Sequence, residues 1–248
     1  RKRQAEVDRF IRESTHGVER ASDPSGWPDW FAGVVRLNRN LGAMPVIGSN
    51  SAHLIGDYEG SLAAMTDAVH DAKRYVHVEF YIFAYDRTTA AFFDARGGEV
   101  ARGVEVRVLL DHIASARVAG YRQTLRKLDE LGVRWQLMLP VQPWRWKYQR
   151  PDLRNHRKIL VVDGEVGFLG SQNVIDRSYN KTSNQRRGLK WKELVARLEG
   201  PIVSGLDAIF ATDWYLETDE PPQRDEFDGA FSQPGEALTG PPNAGFLS

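Results

Sequence analysis

Asn155-His156-Arg157-Lys158-Ile159-Leu160-Val161-Val162-Asp163, continued by Gly164-Glu165-Val166-Gly167-Phe168-Leu169 and Gly170-Ser171-Gln172-Asn173, is the stretch on which the reading of this chain turns. Its apolar, β-branched middle predicts a short strand over 158–162. Asp163-Gly164 is a turn signal, and a second short strand is expected over 166–169. Alternate residues of a strand share a face, so His156 and Lys158 should point the same way while Ile159 and Val161 fill the core. Gly170 is expected to let the backbone approach a ligand closely, and Ser171 and Asn173 to add donors from the adjoining turn.

Upstream, Tyr75 to Ala84 is rich in β-branched and aromatic residues and predicts a buried strand. Leu62, Met65, Val69 and Ala72 recur at helical spacing, which predicts a helix over 59–73. A helix over 88–102 should end at Gly103, followed by a strand over 104–110. Tyr121, Leu125, Leu128 and Leu131 mark a further helix closed by Gly132, and a strand is expected near 133–139. Downstream, Leu194 to Leu198 predicts a last strand, and Pro201 opens a helix carrying Ile202, Leu206, Ile209 and Phe210. Strands alternate with helices, so the expected class is α/β, with a mixed, largely parallel sheet flanked by helices. No internal repeat is visible.

The organisation read from the sequence is an N-terminal polar and amphipathic arm (1–40), an α/β unit carrying the central stretch (41–217) and an acidic Pro/Gly-rich linker (218–248). The 248 residues are enough for a sizeable core, and the formal net charge is zero. The charge is unevenly placed. Arg145, Lys147, Arg150, Arg154, Arg157 and Lys158 face a single acid, Asp152, within one segment, and Lys181, Arg186, Arg187, Lys190 and Lys192 form a second basic cluster. Such local patches fit an anionic substrate or surface. There is no cysteine, which excludes disulfides and thiolate metal sites. No apolar run is long enough to span a bilayer. The chain opens on Arg1-Lys2-Arg3 without an initiator Met and is expected to be a fragment, with any membrane anchor outside it.

The chemistry offered by the central stretch is phosphate transfer. An imidazole attacks phosphorus or protonates a leaving oxygen near neutral pH, while an ammonium and an amide hold the equatorial oxygens as charge builds on them. The cations come from the protein, so neither metal nor cofactor is expected.

His156, Lys158 and Asp163, with Gly170, Ser171 and Asn173, resemble the HKD motif of the phospholipase D superfamily, H-x-K-x(4)-D followed by G-S-x-N. Tyr81-Ile82-Phe83-Ala84-Tyr85-Asp86 and Gly103-Val104-Glu105-Val106-Arg107-Val108-Leu109-Leu110-Asp111 look like that family's early strands. Trp144-Arg145-Trp146, Leu153 to Lys158, Asn173-Val174-Ile175-Asp176 and Leu198-Glu199-Gly200-Pro201 resemble the N-terminal half of bacterial cardiolipin synthases in particular. The resemblance runs from about residue 40 to 217 and implies that the 41–217 unit is catalytic. It implies a phosphatidyltransferase that works through a phosphohistidine on anionic phospholipids such as phosphatidylglycerol, at the bacterial cytoplasmic membrane, with no nucleic-acid partner. The family pairs two HKD motifs in one site, whereas none of His16, His53, His70, His77 or His112 has Lys two residues later. A second half, on the same full-length chain or as a second copy, is therefore implied.

On this resemblance His156 is nucleophile or general acid, Lys158 and Asn173 bind phosphate with help from Ser171, and Asp163 orders the turn. Glu193 is the candidate acceptor for the His156 ring proton facing away from substrate, with Glu79 a weaker candidate and His77 and His112 structural. Trp27 and Trp30, and likewise Trp144 and Trp146, either meet a membrane interface or pack on the domain. Two other readings stay open. One is a homodimeric nuclease of the same superfamily, against which the four tryptophans argue; the other is an inactive phosphate-binding half-domain.

Overall fold

A computed structural model describes residues 28–42, 48–142, 147–148 and 154–220. Its elements in chain order are α1 (Asp29–Gly42), β1 (Ser51–Ile55), α2 (Tyr58–His70), β2 (Tyr75–Phe80), α3 (Ala90–Ala101), β3 (Glu105–Asp111), α4 (His112–Ala116), α5 (Tyr121–Glu130) and β4 (Arg134–Met138). Then follow β5 (Val141–Gln142), β6 (Lys147–Tyr148), β7 (Lys158–Val162), β8 (Val166–Gly170), α6 (Thr182–Arg186), β9 (Val195–Glu199) and α7 (Ile202–Thr218).

Seven strands form one sheet in the order β1-β9-β8-β7-β2-β3-β4, and β5 and β6 pair separately. The sheet is mixed, as expected, but it is not largely parallel. Only β2 with β3 and β3 with β4 run parallel; the four pairings from β1 through β9, β8 and β7 to β2 are antiparallel. The helices α3 and α5 supply the crossovers that parallel neighbours need. The tight Asp163-Gly164 turn reverses β7 into β8, both residues having positive φ (55° and 72°), which is the backbone of a hairpin turn.

The central strands are apolar on both faces because both faces are covered. All six residues of β2 and all five of β7 are buried. On one face Val76, Val78, Phe80, Val106, Val108, Leu160 and Val162 pack with Leu62, Met65 and Val69 of α2 and Phe92 and Phe93 of α3. On the other, Ile159 and Val161 meet Val203 and Leu206 of α7, and Leu109 and Met138 meet Phe210 and Trp214. The face under α7 is also polar in places. The Tyr75 hydroxyl donates to Asp207 at 2.6 Å and His77 Nδ1 meets the other Asp207 oxygen at 2.6 Å, while the His77 ring stacks on Phe210 at 4.3 Å.

Candidate functional site

The segment 154–157 runs into β7 across the ends of the central strands, and its side chains divide into anchors and His156. Arg154 donates from Nε to Asp111, the last residue of β3, at 2.8 Å, and from Nη1 to the Leu139 carbonyl at 2.7 Å. Asn155 donates from Nδ2 to Glu79 Oε1 at 2.7 Å and to Asp213 Oδ2 at 2.8 Å. Arg157 pairs with Asp213. Between these anchors His156 stays exposed, with its ring 4.3 Å from that of Tyr81.

Lys158, the first residue of β7, is only 4% exposed, and its Nζ lies 3.0 Å from His156 Nδ1 and 2.6 Å from the His156 carbonyl. The ammonium also sits 5.2 Å from the centre of the Tyr81 ring, whose face attracts a cation. Burial brings the Lys158 ammonium down to about 8, against the opposing charge of Glu193. Burial first, and then the positive charge of Lys158, hold the His156 imidazole below its ordinary value, so it stays neutral at neutral pH; Asp111 and Glu193 pull the other way. Both residues line an open groove of about 860 Å³, together with Met138, Arg154, Arg157, Leu169, Gly170 and Leu216.

Asn173 is buried. Its Oδ1 accepts from the Ile82 amide at 2.9 Å, and its Nδ2 donates to the Tyr179 hydroxyl at 2.9 Å. Tyr179 in turn donates to Glu193 Oε1 at 3.0 Å. Burial, with Glu193 beside it, pushes the Tyr179 hydroxyl up to about 12, so it remains a donor. Tyr179 and Asn180 both take positive φ, a conformation non-glycine residues seldom hold, and this aims the phenol at the site. Glu193 thus bonds to Tyr179, and it reaches His156 and Lys158 only through space.

Ser171 extends the pairing of β8 with β9: its amide donates to the Leu194 carbonyl at 2.9 Å, and its Oγ accepts from the Leu194 amide at 3.0 Å. The close approach at Gly170 is to protein, because a Cβ there would lie 2.2 Å from the Leu194 carbonyl oxygen and 2.9 Å from Val195 Cα. Asp163 lies at the far end of β7 from His156. Its two oxygens accept the amides of Lys73 and Arg74 at 2.8 Å and Tyr75 at 2.9 Å, so it ties the hairpin turn to the start of β2. His112 Nδ1 accepts the Val141 amide at 3.1 Å.

Trp27, Trp144 and Trp146 lie outside the described residues. Trp30 on α1 is 70% exposed, with Val34 and Leu37 also exposed. A second exposed aromatic, Trp191 (55%), stands against the Tyr179 ring at 5.6 Å, flanked by exposed Leu189 and Leu194 in the second basic cluster. Sequence reasoning passed over Tyr81, Tyr179, Asp213 and Trp191. The first lay inside a predicted strand, and the others carry no spacing signal relative to His156. No group of acids and histidines able to hold a metal occurs among the described residues, nor does any helix long and apolar enough to cross a membrane.

Comparison with known proteins agrees with this architecture. The fold matches that of Nuc from Salmonella typhimurium, a phospholipase D family member, with a TM-score of 0.53 at 15% identity, over 70% of this chain and 100% of that one. Cardiolipin synthase A of Pseudomonas putida is 33% identical over 190 residues, 76% of this chain and 38% of that protein. The protein of the same name from Pseudomonas syringae is 30% identical over 243 residues, 90% of this chain and 48% of that protein. The chain therefore spans less than half the length of these curated relatives. Residues 65–214 match the family described as "Cardiolipin synthase, PLD-like domain", a span that contains His156, Lys158, Asn173 and Glu193, and the chain belongs to that family.

Proposed function

We propose that this chain supplies one half of the active site of a cardiolipin-synthase-type phosphatidyltransferase. The observation that carries the reading is the pairing of a neutral, exposed imidazole with a buried ammonium, 3.0 Å apart at the mouth of an open groove. In the free site the ammonium donates to His156 Nδ1, which leaves the ring proton on Nε2. A bound phosphate draws Lys158 onto its oxygens and releases Nδ1 to carry the proton, so that the Nε2 lone pair can attack phosphorus. The bond from phosphorus to the glycerol oxygen then breaks, and that oxygen takes a proton from an acid of the second half. A hydroxyl of a second lipid next gives its proton to that group and attacks phosphorus, the N–P bond breaks, and the products are cardiolipin and glycerol. If the second half provides the nucleophile instead, His156 must first take a second proton at Nδ1, and the resulting imidazolium gives its Nε2 proton to the leaving glycerol oxygen.

Lys158 and Asn173, with Ser171 at the rim, would hold the phosphate, and Glu193 acts on Asn173 through Tyr179 and on Lys158 through space. Trp30, with Trp27, Trp144 and Trp146, would meet the headgroup region of an anionic membrane, the catalytic unit lying between the N-terminal arm and the acidic C-terminal linker. The test is to incubate the full-length protein with labelled phosphatidylglycerol, quench in alkali and map the label. A phosphatidyl adduct on His156 or on its counterpart in the second half, formed with release of glycerol, is expected. Turnover with no histidine adduct would overturn the mechanism.

A further inference from the structure

We propose that buried Glu79 and Asp213 act together as a clamp that aims His156, gripping Asn155 and Arg157 on either side of it. The inference rests on the phosphoryl-transfer reading and adds two positioning residues to it. Glu79 comes from the middle of the sheet and Asp213 from α7, so the clamp joins the two layers beneath the site at the point where the catalytic segment crosses them.

The hydrogen bonding is directional. The two N–H bonds of the Asn155 amide are both committed, one to each carboxyl, and its Oδ1 accepts the Arg157 amide at 3.1 Å. That pattern fixes the amide's orientation and leaves the side chain without freedom to rotate. Arg157 returns to the same Asp213 oxygen that Asn155 uses. Residues 155 and 157 are therefore tied to one carboxylate, and the residue between them is forced outward to the groove.

Glu79 is fully buried, and its Oε2 meets no hydrogen-bond donor. An ionised carboxylate could not bear that position beside a second carboxylate. Burial first, and then the charge of Asp213, raise the Glu79 carboxyl well above its ordinary value, against the weaker pull of Arg157 and Asn155. Glu79 is thus held in its neutral form beside Asp213. A neutral acid in the middle of a sheet has no part in packing that an apolar residue could not fill better. Its value lies in accepting from Asn155.

The test uses three substitutions and two readouts. In the full-length protein Asn155→Ala and Glu79→Leu should lower kcat by roughly 10–100-fold with KM within about twofold, because the groove and Lys158 remain while the imidazole is mis-aimed. Glu79→Gln keeps the shape, accepts from Asn155 and donates to Asp213, and should retain kcat within about threefold. On the 248-residue chain, NMR should show close contacts between the rings of His156 and Tyr81 in the parent and in Glu79→Gln, and their loss in Asn155→Ala. The NMR arm stands whether or not the parent transfers phosphatidyl groups, so a failed assay of the parent indicts the reaction and leaves the clamp to be judged on the ring contacts. A wild-type kcat and intact ring contacts in folded Asn155→Ala would overturn the proposal, even if Glu79→Leu failed to fold.

Discussion

A lysine ammonium at a buried strand end loses its proton earlier than one in water, and Lys158 is held at about 8 against the ordinary 10.5. Burying the charge costs stability at neutral pH. Between about 8 and 10.5 the unfolded chain binds the proton that the folded chain does not, so the Lys158 contribution makes stability rise with pH across that window. Function runs the other way, because phosphate needs the ammonium. The pH profile of kcat/KM should fall above about 8, and that of kcat should fall at a higher pH, since bound phosphate restores the charge. Lys158→Arg should remove the fall while lowering the rate at neutral pH by roughly 100-fold; an unchanged alkaline limb in that variant would dissociate Lys158 from it. His156→Asn should abolish turnover with a melting temperature close to that of the parent, because the ring is exposed and rests against Tyr81 at the surface of the groove. Residual activity near the parent's would remove His156 from the reaction. The His156–Lys158 pair was legible because strand alternation places i and i+2 on one side. Tyr179 and Asp213 were not, because they join the site through a strained loop and a helix face that no local pattern announces.

The elements themselves were readable to within a few residues wherever apolar periodicity was strong, as in β2, β7 and α5. The direction of strand pairing was not, because alternation of strands with helices suggests parallel crossovers, and β7 instead enters antiparallel to β2. Nor did Gly170 announce its partner, since a glycine pressed against Leu194 looks the same in sequence as one pressed against a ligand. Asp163 is the element-scale counterpart of His156: both flank β7, one at the working end and one at the supporting end. Three backbone amides converge on its carboxylate, and removing it leaves them without an acceptor at a mostly buried junction. Asp163→Ala should therefore cost about 2–4 kcal/mol of stability. Asp163→Asn should cost less, because one amide oxygen can still accept and Asn tolerates the positive φ of 55°. In both, turnover per folded molecule should stay close to the parent's. Denaturant melts paired with activity normalised to folded protein check this, and a melting point unchanged in Asp163→Ala would refute the tie.

At the scale of the whole molecule the site is open: the groove beside His156 and Lys158 faces solvent, and the sheet near it leaves Leu54 and Leu169 exposed. In-line displacement at phosphorus asks for a nucleophile on one side and an acid on the other. One imidazole cannot stand on both sides at once. Of the other four described histidines, His77 is sealed beneath α7 against Asp207 and Phe210, His112 accepts a backbone amide through its Nδ1, and His53 on β1 and His70 at the end of α2 are not among the residues that line the groove. Glu193 is engaged with Tyr179, whose raised hydroxyl is not a ready acid at neutral pH. The 248-residue chain should accordingly show no phosphatidyl transfer as a monomer, and activity should return when the remainder of a full-length relative, or a second copy held in two-fold symmetry, is brought to the groove. Light scattering combined with a transfer assay on the isolated chain decides it. Mixing an inactive His156→Asn chain with a complementary half bearing its own histidine tests the pairing itself: rescue is absent if His156 is one of the paired imidazoles. Sustained turnover by a demonstrated monomer would mean that the second catalytic group lies within these residues and that the half-site reading is wrong.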